Sequence, residues 1–144
     1  MDISTAHAAA RAEAARVPAL QASLARLDAA PGPASITFYA APRPDPGEPP
    51  AGAALVVIAL QQPAGAINEA AHTIELAVPI EGQITGADPD DGTDTAWARI
   101  TDGAGEWWGD CSVSDASGAG EIKLISTLLR NGAFARLVSA VFAG

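Results

Sequence analysis

The sequence predicts a mainly β fold: an antiparallel β-sandwich or jelly-roll-like domain preceded by an N-terminal α-helix. Three observations predict it. Apolar residues recur every three to four positions as far as Leu27, and every second position after residue 33. Clusters of Gly, Pro, Asn and Asp separate the short apolar runs at frequent intervals. No strand–helix–strand rhythm appears, so a Rossmann-type nucleotide fold is not expected. The helix takes residues 1–30 and the β domain residues 34–144.

The helical reading rests on Ile3, Ala6, Ala10, Val17, Leu20, Leu24 and Leu27. Ser4 or Thr5 can cap its start, and Pro31-Gly32-Pro33 stops it. Pro18 restricts Val17 and is expected to kink or split the helix. The apolar stripe is narrow, closer to a coiled-coil seam than to a broad core face. Val17, Leu20, Leu24 and Leu27 therefore have two candidate seats, the chain's own domain or a neighbouring subunit.

Ser35 to Ala41 reads as the first strand, with Ile36 and Phe38 on one face and Tyr39 on the other. Residues 42–52 hold five prolines and two glycines and must form a loop. Leu55 to Leu60 is continuously apolar and reads as a central strand. Thr73 to Val78 alternates, and Ile80 to Thr85 continues it beyond Pro79. Thr95 to Thr101, the Asp102-Gly103 turn and Glu106 to Val113 make a hairpin. Glu121 to Leu128 is a further strand. Asn131-Gly132 is a type I′ turn signal before the last strand, Phe134 to Phe142.

A chain of 144 residues fits one domain, and 49% hydrophobic against 17% charged residues is a globular balance. The net charge of −9 argues against non-specific nucleic-acid binding and against anionic membrane surfaces. Met1-Asp2 opens no signal peptide, and the longest apolar run, Ala53 to Leu60, is strand-sized. Cys111 is the only cysteine, which excludes an intrachain disulfide or a cysteine-built zinc site. Synthesis in the cytoplasm is the expectation.

The whole charge imbalance lies between Glu81 and Glu121, where ten acids face one base, Arg99; the three tryptophans lie there too. Within it, Asp88, Asp90, Asp91 and Asp94 could offer oxygens to calcium, although Gly92 sits one position early for an EF-hand and Arg99 replaces its closing glutamate. The competing reading is a solvated turn. Trp107 and Trp108 are adjacent, so a strand sends them to opposite faces. Trp97 shares a face with Arg99; if Ala96, Ala98 and Ile100 point inward, Trp97 lies outside in cation–π range of Arg99. Exposed tryptophans beside carboxylates can stack on sugars, while core or subunit-interface packing is the commoner use. Cys111, in line with Trp107, Gly109 and Val113, reads as a small buried hydrophobe. His7 and His72 are the only histidines; no nucleophile elbow, Walker or dinucleotide glycine pattern accompanies them. Neither an enzyme nor a cofactor is expected.

Three segments carry a resemblance: Pro33-Ala34-Ser35-Ile36-Thr37-Phe38-Tyr39 before the Pro/Gly-rich loop, Thr95-Ala96-Trp97-Ala98-Arg99-Ile100-Thr101-Asp102-Gly103-Ala104-Gly105, and the closing Asn131-Gly132 hairpin. Together they resemble small, β-rich structural proteins encoded in the morphogenesis clusters of tailed bacteriophages and prophages. The resemblance implies a non-enzymatic virion component, such as a head decoration, neck or tail accessory protein. It further implies manufacture in the bacterial host cytoplasm, residence in the virion, and partners among other virion proteins and copies of itself. Gly105-Glu106-Trp107-Trp108 departs from that pattern and reads as a private interface or ligand site. The alternative function is a glycan- or host-surface-binding module built on the tryptophans.

Overall fold

A computed structural model describes residues 1–144. The helix α1 spans Thr5–Asp28, and the Ser4 hydroxyl caps it by accepting the His7 amide at 3.2 Å. Pro18 does not split it: α1 runs unbroken past that residue. The hydrogen bond Pro18 forfeits falls at the border between two differently placed halves. Residues 5–16 are exposed throughout, whereas Leu20 and Leu27 are buried and Leu24 packs against the core. Burying each leucine contributes about 1.5–3 kcal/mol, which holds the C-terminal half in place. Its own domain is thus the seat of that half. Val17 is half-buried where the two halves meet.

Eleven strands follow: β1 Ser35–Tyr39, β2 Val56–Ala59, β3 Gly65–Asn68, β4 Thr73–Leu76, β5 Ile80–Gln83, β6 Thr93–Asp94, β7 Trp97–Thr101, β8 Trp107–Asp115, β9 Ile122–Leu124, β10 Leu128–Leu129 and β11 Phe134–Ala143. Nine form one curled sheet in the order β2-β1-β7-β8-β9-β11-β4-β3, with β5 also paired to β11, while β6 and β10 form a separate ribbon. The fold is mainly β, mostly antiparallel and β-sandwich-like. One ladder is parallel: Val113 of β8 lies opposite Ile122 of β9. That ladder is only three residues long, so residues 116–121 suffice as its return connection.

The longest strand, β11, organises the sheet. Leu137 has Ile80 on one side and Leu124 on the other. On the Ile80 side, β5 and then β4 run along β11, so the strand does continue beyond Pro79. The two ends of the curled sheet approach each other. A Cβ on Gly82 of β5 would lie 2.7 Å from the Val57 carbonyl oxygen of β2, so only glycine fits that crossing without a shift. Inside the curl, Ile36, Phe38, Ile58, Ile74, Ile100 and Leu137 form the heart of the apolar core.

Several expected elements change. The run Leu55 to Leu60 is an edge, not a central strand: β2 pairs with β1 alone and turns Val57 and Ala59 outward. An uninterrupted apolar run imitates a strand buried on both faces, but here the outward positions are only Val and Ala. The segment Glu121 to Leu128 divides into β9 and β10, and β3 was not expected. Asn131-Gly132 is not a type I′ hairpin. Gly132 has φ 86°, but Asn131 is not among the positive-φ residues, and β10 and β11 pair with other strands. The Asn131 side chain instead accepts the Ala87 amide at 2.9 Å and donates to the Ala87 carbonyl at 2.6 Å. A side chain occupied in this way serves the neighbouring loop rather than a two-residue turn.

Candidate functional site

The strongest polar constellation lies on the outer face of β7 and β8, under the proline-rich loop. Arg99 Nε donates to Asp110 Oδ1 at 2.7 Å, and one of its terminal nitrogens donates to Oδ2 at 2.9 Å. This side-on, two-point pairing is the geometry a guanidinium favours with a carboxylate. The same terminal nitrogen also reaches the Glu48 carbonyl oxygen at 2.8 Å, and Arg43 donates to the Asp110 carbonyl oxygen at 2.6 Å. The Asp110 side chain is nearly fully buried by this arrangement. Burial raises its pKa, but hydrogen bonding from Arg99 and Trp107, the Arg99 charge and the Gly47 amide outweigh that, leaving it below the ordinary carboxylate value. Arg99 is shifted the opposite way, upward, chiefly by its bond to Asp110.

Trp97 belongs to this cluster, and here the expectation of an exposed Trp97 is corrected. The side chain is only 1% exposed. It stacks on Tyr39 with ring centroids 4.6 Å apart, and its indole nitrogen donates to the Ala40 carbonyl at 3.0 Å. Arg99 does lie over the Trp97 ring, 5.6 Å from its centroid. Alternation places Trp97 outside the main core, as expected from Ala98 and Ile100 pointing in. The loop after β1 then folds across that outer face and buries it a second time.

The adjacent tryptophans part as a strand requires. Ile100 pairs with Gly109 but Thr101 pairs with Trp107, so Trp108 is the extra residue of a β-bulge. The bulge breaks the expected line from Trp107 through Gly109 to Cys111. Trp108 instead joins the core, edge-on to Phe142 at 5.7 Å, and its indole donates to the Ser23 carbonyl of α1 at 3.0 Å. Trp107 remains outside, 44% exposed, beside Gly47. A sugar-stacking platform made of several tryptophans is therefore not assembled; one indole is left for it.

Most of the acidic stretch serves turns. Asp88 accepts the amides of Asp90 and Asp91, and Asp102 those of Ala104 and Glu106. Asp115 accepts the amides of Ser117 and Gly118. The Asp91 and Asp90 amides hold the Asp88 pKa below its usual value, and the Ser117 hydroxyl and amide, with the Gly118 amide, do the same for Asp115. Asp94 faces the Thr127 hydroxyl at 3.5 Å. Asp88, Asp90, Asp91 and Asp94 are not gathered into a ligand set: nowhere do three or more His, Cys, Asp or Glu side chains converge as a metal would need. The calcium reading thus finds no coordination geometry at these four residues.

No family model, curated protein or solved structure matches the chain. The functional reading therefore rests on this chain's own surface. His72 sits in the β3–β4 turn with φ 52°, its ring between Glu13 at 3.3 Å and Arg16 at 3.5 Å, where it ties α1 to the sheet. His7 is exposed on α1. Cys111 is buried, and that burial, reinforced by Glu121, pushes its thiol up to about 12, an unreactive state.

The feature that sequence reasoning missed lies at the end of the molecule where β10 leads into β11. A cavity of about 230 Å³ opens there between Ile84, Ile125, Leu128 and Phe134, with Arg130 and Arg136 on its rim. Ile125 is 62% exposed, Leu128 41% and Phe134 60%. One signal was available. In β11, Ala135 and Leu137 point inward, which sends Phe134 and Arg136 outward together. Asp110 had a signal too, since the Asp102-Gly103 hairpin sets it across from Arg99.

Proposed function

We propose that this chain is a non-enzymatic assembly subunit, a structural protein of the tailed-phage virion type, such as a head decoration, neck or tail accessory component. One observation carries the reading. Ile125, Leu128 and Phe134 stand exposed around an open cavity whose other apolar walls, Ile84, Leu129 and Ala135, belong to the 24-residue core. Large apolar side chains grouped at the surface mark a contact site. The N-terminal half of α1, exposed over residues 5–16 and held to the sheet only through the contacts of Glu13 and Arg16 with His72, offers further uncovered surface. The polar residues that might have suggested catalysis support the same reading, because Arg99, Asp110 and Trp97 are occupied with one another and with the loop above them. The resemblance of the β1 and β7 segments to phage morphogenesis proteins supports the virion setting; the third segment, Asn131-Gly132, does not form the closing hairpin of that pattern.

The test has two arms. Size-exclusion chromatography with light scattering is expected to give a mass above that of one chain, and the protein is expected to co-sediment with purified heads or tails of the encoding phage. A strict monomer that binds neither particle overturns the proposal. Glycan-array binding that disappears in Trp107→Ala would replace it with the host-surface reading.

A further inference from the structure

We propose that the apolar slot receives the Glu106-Trp107 corner of a second copy of this chain, making a head-to-tail contact. The inference rests on the assembly reading and specifies its contact. The slot is lined mainly by apolar residues, with Arg130 and Arg136 among them. The Arg136 guanidinium makes no hydrogen bond or ion pair; its cross-strand neighbour, Glu81, lies beyond ion-pair distance. Arg130 makes only one long contact, 3.4 Å to the Asp90 carbonyl oxygen. Neither guanidinium has a carboxylate partner, so the slot combines free positive charge with apolar surface. The slot therefore fits a large apolar side chain with a carboxylate beside it.

Among its tryptophans the chain presents that combination once. Trp107 is the one exposed tryptophan, and Glu106, immediately before it, is exposed with its carboxylate unpaired. Tryptophan with an adjacent charge is a typical anchor for a well-packed contact. The two surfaces also lie toward opposite ends of β7. The slot borders the β6–β10 ribbon, which leads into the first residue of β7, and Trp107 pairs with Thr101, the last residue of β7. Five strand residues at about 3.3 Å each separate the ends by on the order of 15 Å, so one chain cannot fill its own slot. Slot and insert are different patches, so a contact in which they do not engage reciprocally across a twofold axis is heterologous and propagates into rings or filaments rather than stopping at a dimer.

Mixing tests this geometry. Phe134→Asp removes the slot and sets a carboxylate against Glu106, while Trp107→Ala removes the insert. In sedimentation velocity at matched concentrations, the wild type is expected to form species larger than dimers, and each variant alone is expected to be monomeric. Their equimolar mixture is expected to give a capped heterodimer, since one intact slot meets one intact insert. Circular dichroism verifies that both variants are folded. An exposed-residue pair supplies a second route: Arg136→Glu is expected to weaken assembly at least tenfold, and Glu106→Lys in the same chain to restore it. Variants that assemble like the wild type overturn the contact while leaving the assembly reading in place through another surface. A wild type that stays monomeric overturns it as well, and particle co-sedimentation then judges the assembly reading separately.

Discussion

The outer face of β7–β8 and the slot beside β11 are both surface regions, yet they differ in how far their chemistry is closed. The first concentrates the residues that usually draw attention: a tryptophan, an arginine, an aspartate and two more aromatic rings. Its charged side chains and the Trp97 indole meet partners within the chain. Arg99 holds Asp110 and the Glu48 carbonyl, Trp97 holds the Ala40 carbonyl, and Arg43 holds the Asp110 carbonyl. The second region is chemically plain, three apolar side chains and two arginines, but it is unfinished. A closed network stabilises the molecule that contains it; an open apolar surface gains by meeting another molecule. Reactive-looking residue types are therefore a poorer guide here than unsatisfied ones.

The comparison breaks most readily at Trp97. Trp97→Ala is expected to cost about 3–5 kcal/mol in urea or guanidinium unfolding, as for a large aromatic truncated in a packed interior. A cost below 1 kcal/mol would mean that the loop over β7 is not a second core. Asp110→Ala comes next, at about 2–3 kcal/mol, because it leaves the Arg99 guanidinium partly buried without its carboxylate. The pH dependence sharpens the same point. The folded Asp110 pKa is depressed, so its contribution is present above the unfolded value, about 3.9, and is lost as pH falls through the folded one. The stability gap between wild type and Asp110→Asn is accordingly expected to be constant from pH 5 to 8 and to shrink below pH 4. A gap that widens with acid would reverse the assignment. The smallest effect belongs to the slot. Phe134→Asp is expected to change unfolding stability by less than about 1 kcal/mol, since the side chain is already 60% exposed. A larger loss would make Phe134 a core residue and remove the contrast.

Much of the architecture was legible because it follows from short-range rules. The spacing of Leu20, Leu24 and Leu27 marked the docked face of α1, and Ser4 marked its start. Period-two patterning placed β1, β4, β7, β8 and β11 to within a few residues. The Asp102-Gly103 turn did form, between β7 and β8. The failures share a cause: they depend on what lies across from a residue rather than beside it. Nothing near Leu55 to Leu60 shows that only β1 will pair with that run. The Gly65–Asn68 strand is too short and too weakly patterned to announce itself. Asn131-Gly132 has turn chemistry, but Ala87, distant in sequence, takes the asparagine side chain.

Trp97 and Trp107 show the division most clearly. Alternation alone determined that Trp97 faces away from Ala98 and Ile100, and that Trp107 and Trp108 cannot share a face. Local sterics fix the direction of each side chain on a strand, so those statements need no knowledge of the rest of the molecule. Whether an outward side chain meets water was decided only in three dimensions. The proline-rich loop covers Trp97, α1 and Phe142 receive Trp108, and no part of the chain reaches Trp107 or the slot well enough to bury them. Burial is a property of long-range packing, and long-range packing is what selected which of the acidic stretch's tryptophans remains available to a partner.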